Sequence, residues 1–122
     1  MERWHVPSIE AAGRREPRVL FSAPECRAVA LDLRAGEQLG EHSVHERAVL
    51  WVAAGEVTVQ GETCQAGTLI TFAPDERHTV AAQSDARLVL LLAPWPGDGH
   101  YPSGAEFDAA RMPANATAPP IS

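Results

Sequence analysis

The stretch "GEHSVHERAVLWVAAGEV", residues 40–57, decides the fold. Its first half is polar and carries two histidines and two glutamates. Its second half is an apolar run that stops at Gly55. Such a run, bounded by a glycine, is the pattern of a buried β-strand rather than a helix. The residues on either side extend the pattern. "EVTVQ", 56–60, alternates strictly, with Val57 and Val59 facing one way and Glu56, Thr58 and Gln60 the other. That is a strand with one wet face.

Working outward, further short runs read as strands: 18–22, 26–33, 47–54, 62–65, 68–73, 78–83 and 86–93. Residues 34–41, "RAGEQLGE", read as a turn. Glycines at 36, 40, 55, 61 and 67 and the "APDE" sequence separate the runs. Gly36, Gly55 and Gly67 are expected in turns, where a positive φ suits glycine. Many short strands at regular spacing define an all-β sandwich or barrel. Residues 1–16 hold few β signals, and 94–122 are rich in Pro, Gly and Ala. Three segments follow: an irregular N-terminal stretch 1–16, a β-domain 17–93 and a C-terminal segment 94–122. The last dozen residues are expected to be poorly ordered, and "GAEFDAAR" to form a short helical turn.

The composition excludes several partner classes. The 122 residues carry 10 basic and 16 acidic side chains, a net charge of −6. No lysine is present and the arginines are scattered, which argues against nucleic acid and against an anionic membrane surface. No apolar run is long enough to span a bilayer. The N-terminus does not look like a signal peptide, so a cytoplasmic location is expected. In that compartment Cys26 and Cys64 read as reduced thiols. There is neither a phosphate-binding G-x-x-x-x-G-K-[ST] loop nor a G-x-S-x-G nucleophile turn. Ser43 between His42 and His45 lacks an orienting carboxylate, so it does not make a catalytic triad.

The spacing of glycines and histidines is similar to that of the cupin superfamily. Gly36, five residues and then His42 match the start of its first motif, and Gly55 stands where that motif ends. "GTLITFAPDERH", 67–78, resembles the second motif, with Pro74 and His78 in the expected places. The similarity covers about residues 17 to 93. It implies a small antiparallel β-barrel of the double-stranded β-helix or jelly-roll kind, with a pocket lined by the motif strands. It also implies metal ligands: two histidines and a glutamate from the first motif and a histidine from the second. Here the second histidine is replaced by Val44 and the glutamate by Ala48, so His42 and His78 are what remains.

Two imidazoles can hold Zn, Ni, Mn or Fe if another side chain joins them. His45 and Glu46 are the nearest. Strand parity puts His42, Val44 and Glu46 on one side and His45 on the other, unless a bulge turns His45 inward. His5 and His100 are more distant candidates. The expected pocket wall is Val44, Ala48, Leu50, Val52 and Phe72, with His42 and His78 as its polar groups. Two functions are compatible with this: binding of a small polar ligand or a divalent metal, or a metal-dependent dioxygenase or isomerase that uses Glu46 as the carboxylate. Finally, "VLWV" and "LVLLL" are apolar on both faces of their strands. Either the terminal segments cover the outer face or a second copy does. A homodimer with Trp51 and part of 88–92 near the contact is expected.

Overall fold

The computed structural model describes residues 1–10, 16–42 and 44–96, with backbone only at 40–42. Nine strands are divided between two antiparallel sheets: β1 (Arg18–Ser22), β2 (Arg27–Leu33), β3 (Gln38–His42), β4 (Arg47–Ala54), β5 (Glu56–Val59), β6 (Glu62–Gln65), β7 (Leu69–Phe72), β8 (His78–Ala82) and β9 (Ala86–Ala93). The five-stranded sheet has the order β1-β2-β9-β4-β7, and the four-stranded sheet β3-β8-β5-β6. Among the described residues no ladder joins one sheet to the other. The expected barrel is therefore a jelly-roll sandwich whose hydrogen bonding does not close into a ring.

Alternation builds the core. On β4, Ala48, Leu50 and Val52 point inward and are buried, while Trp51 between them is exposed. The register lays Ala48 beside Phe72 and Leu92, and Val52 beside Leu88. From the other sheet come Val57, Val59, Val80 and Ala82. Each fully buried aliphatic or aromatic side chain contributes about 1.5–3 kcal/mol through its transfer from water.

Turn chemistry sets the connections. Gln60 and Gly61, both at positive φ (51° and 81°), form a two-residue hairpin between β5 and β6, the geometry that matches strand twist. Gly36, Gly55 and Gly67 are also at positive φ, as expected from the sequence. Gly55 is the most constrained, because a Cβ there would collide with the carbonyl of Asp85.

One strand departs from expectation. Residues 38–41, read as part of a turn, form β3 together with His42 and pair with β8. Glycine and charge suppress the strand signal there, but the ladder to β8 supplies what local preference does not.

The ends of the β-domain are tied down. Residues 6–8 form a single 3-10 turn that lies against β4. Arg87 holds it by donating from Nη1 to the Val6 carbonyl at 2.7 Å. The same guanidinium donates from Nε and Nη2 to the two carboxylate oxygens of Asp32, at 2.7 and 2.8 Å. At the far end Trp95 is buried under the Arg27 guanidinium, 4.3 Å from the ring centroid. Its backbone N–H donates to the carbonyl of Pro24. Residues 97–122, with His100 and "GAEFDAAR", lie outside the described part, so their expected order and helical turn do too.

Candidate functional site

The site begins with a bulge. Leu39 pairs with Val80, but the next aligned pair is His42 with His78, so β3 spends one residue more than β8 over this interval. Plain alternation from Leu39 would have set Glu41 across from His78. The extra residue resets the register and puts the His42 backbone there instead. Two histidines far apart in the chain thus meet as a cross-strand pair.

His78 is buried, at 6% exposure, although it opens a strand next to the exposed turn residues 73–77. Two contacts orient its ring. Phe72 stacks on it with centroids 4.0 Å apart and planes 14° from parallel. Its Nδ1 lies 3.2 Å from the Glu76 carbonyl oxygen. A carbonyl only accepts, so Nδ1 is the donor, and in the neutral ring the lone pair is then on Nε2. This is the arrangement by which a backbone acceptor prepares the opposite nitrogen of a histidine to bind a metal or accept a hydrogen bond.

The turn that precedes β8 is itself held in place. Asp75, at φ 66°, donates its N–H to the Val44 carbonyl at 2.7 Å. Ala73 N–H donates to Glu76 Oε1 at 2.8 Å. The chain after β3 is thereby tied to the chain before β8, at the same end of the sandwich as the histidine pair.

From Val44 to Glu46 the parity is as the sequence implies: Val44 buried, His45 exposed, Glu46 buried. His45 Nδ1 lies 2.7 Å from Asp75 Oδ1 at the surface. The sequence makes it a candidate third nitrogen ligand, but its side chain is exposed beside Asp75, whereas His78 is buried. Glu46 is fully buried, at 0% exposure. Glu46 and His78 are the buried polar or charged residues among those described, and both stand at this end of the fold. The expected apolar wall residues Val44, Ala48, Leu50, Val52 and Phe72 all lie in one buried cluster. No group of three described side chains is arranged to hold a metal ion; the side chain of His42 is outside that set. His5 is engaged elsewhere, with Nδ1 2.7 Å from the Ser8 hydroxyl.

Two sheets in this order, with β3–β8 and β4–β7 as interleaved pairs, define a double-stranded β-helix. Comparison with solved structures bears this out. A RmlC-like cupin protein from Desulfovibrio desulfuricans superposes with a TM-score of 0.67 at 18% identity, covering 77% of this chain and 97% of the other. A protein with a double-stranded β-helix domain from Klebsiella pneumoniae gives 0.66 at 19%, over 75% of this chain and 84% of the other. A cupin superfamily protein from Desulfitobacterium hafniense gives 0.64 at 14%, over 73% and 86%. No family model matches the sequence, and no curated protein does. The chain has the cupin fold.

Proposed function

We propose that this protein binds a small polar ligand at the β3–β8 end of the sandwich, through a divalent cation held by His42, Glu46 and His78. The burial of Glu46 carries this reading. A carboxylate is costly to bury and is retained where it meets positive charge or hydrogen-bond donors. Glu46 is one strand repeat ahead of Ala48, the position at which the cupin pattern has its glutamate, and on the same face. It supplies from two residues away what Ala48 lacks.

The donor chemistry fits a cation. Two neutral imidazoles and one carboxylate suit Zn, Ni, Mn or Fe. Such an ion, when bound, would supply Lewis acidity toward an oxygen of the ligand. The protein's own part is to fix the donors. The Glu76 carbonyl sets the His78 tautomer, Phe72 sets its plane, and the apolar wall excludes water.

The same donor set favours a second reading. Two histidines and a carboxylate leaving open positions are what a metal-dependent dioxygenase or isomerase requires.

The test is metal content and melting temperature of the chain prepared without chelator or added histidines. Saturating Zn, Ni, Mn or Fe is expected to stabilise the wild type by about 2.7 kcal/mol at a hundredfold excess over Kd, on the order of 10 °C in a domain of this size. His78→Ala and Glu46→Gln should abolish the shift, and His45→Ala should keep it. A wild-type chain indifferent to all four ions would overturn the cation and return both imidazoles to hydrogen bonding with an organic ligand.

A further inference from the structure

At the histidine end of the sandwich, the inward row of the five-stranded sheet carries a charge. The registers set Arg27, Leu92, Ala48 and Phe72 side by side on β2, β9, β4 and β7. Leu92, Ala48 and Phe72 are buried, and Phe72 is the ring stacked on His78. Arg27 holds the matching position on β2, where Val29, Leu31 and Leu33 follow on the same face. Successive inward positions of a strand serve one core, so an aliphatic residue would continue the pattern. A guanidinium breaks it at the level of the site.

Arg27 is also fixed in place. Its Nε donates to the hydroxyl of Ser22, its ladder partner on β1, at 3.2 Å. One face of the guanidinium lies on the Trp95 indole, 4.3 Å from the ring centroid. That indole is buried in the same apolar cluster as Ala48, Phe72 and Leu92, so the platform under the charge is continuous with the wall of the site. The Trp95 N–H donates to the Pro24 carbonyl at 3.1 Å, and Ala23 and Cys26 close the β1–β2 turn through backbone hydrogen bonds of 2.9 and 3.1 Å. A guanidinium held by Nε and by one face keeps its Nη groups in a set plane, and a planar fork of this kind matches a carboxylate. Arg87 shows the match in this same sheet, where Nε and Nη2 donate to the two oxygens of Asp32.

We propose that the ligand is a small organic acid whose carboxylate is received by Arg27, while an oxygen at its other end meets the cation; the second half of this rests on the cation reading above. The row spans three strand spacings, about 14 Å between the backbones of Arg27 and Phe72. The arginine side chain at one side and the His78 ring beyond Phe72 at the other shorten that span to the length of a short diacid. Arg27 sets which ligands are taken, and the cation end sets how they are oriented.

Isothermal titration of the full chain, with and without zinc, tests the proposal. Succinate is the probe and the uncharged succinamide its counterpart. Succinate is expected to bind the zinc-loaded wild type. Arg27→Gln should weaken it at least about tenfold, the loss of a charge-assisted hydrogen bond. The rise in melting temperature on adding zinc should stay as in the wild type, and succinamide should not distinguish the two chains. Equal succinate affinity in the wild type and a folded Arg27→Gln chain would overturn the proposal, and an intact zinc response would leave the cation standing. A wild type that takes no zinc yet loses succinate with Arg27→Gln would overturn the cation and support the carboxylate subsite. A wild type indifferent to succinate at millimolar concentration would overturn the proposal. If Arg27→Gln fails to fold, phenylglyoxal labelling of the wild type decides. Succinate should slow modification of Arg27 several-fold and leave Arg34, just past the opposite end of β2, unchanged. Equal rates at Arg27 with and without succinate would overturn the proposal.

Discussion

Gly55 and Gly61 have nearly the same φ, 80° and 81°, yet they stand in different surroundings. Around Gly61 there is open space, whereas at Gly55 the backbone of Asp85 and Ala86 occupies the position of a side chain. Gly61→Ala should therefore cost only the conformational penalty, about 1 kcal/mol. Gly55→Ala should cost that and a backbone displacement, exceeding about 3 kcal/mol. Urea unfolding of the two variants measures the difference, and equal losses would contradict it. His78 is held in another way, by a stacked ring and a backbone carbonyl. Phe72→Leu keeps an apolar residue of similar reach but loses the stack. It should cost about 1–2 kcal/mol from the aromatic pair and imperfect packing, and should weaken cation binding while leaving the fold intact. Isothermal titration checks this. Unchanged affinity would show that the stack does not orient the ring.

At the scale of elements, the Asp32–Arg87 pair links three parts of the molecule: β2, β9 and the turn at residues 6–8. The hydrogen bond to Asp32 pushes the Arg87 guanidinium above its ordinary pKa. Partial burial opposes this, and the charge of Asp32 adds to the rise. The pair stays charged on the Arg87 side at any working pH. Arg87→Met should release the N-terminal turn and cost about 1–3 kcal/mol, the range of a charge-assisted hydrogen bond lost. Hydrogen exchange would report it as faster exchange at Ser8 and Ile9, whose amides close the turn. Protection as in the wild type would mean that packing alone holds the segment. The strands that β9 and β4 contribute were legible because their apolar runs are continuous. β3 was not, since Gly40 and Glu41 carry no strand preference and the strand is defined by its ladder to β8 at Gln38, Leu39 and His42 on either side of them. The bulge that aligns His42 with His78 was equally invisible, because strand parity assumes one residue per position on each side.

At the scale of the whole molecule, two interleaved antiparallel sheets bring residues 42, 46 and 78 to one end of the sandwich, the last from more than thirty positions further along the chain. The motif spacing named His42 and His78 as candidates for one site; the cross-strand alignment of their backbones depends on the bulge in β3. The burial of Glu46 was legible only as parity, and the outward turn of His45 toward Asp75 needed the 73–76 turn to be seen beside it. The apolar outer face followed from two runs that do not alternate. Among the described residues no helix is long and apolar enough to cross a membrane.

The most direct test is the nitrogen-15 spectrum of the imidazole rings during a zinc titration. His42 and His78 should move together at the same zinc dose, His78 through Nε2, while His45 and His5 stay where they are. Movement of His45 in place of either, or no movement at all, would contradict the shared site.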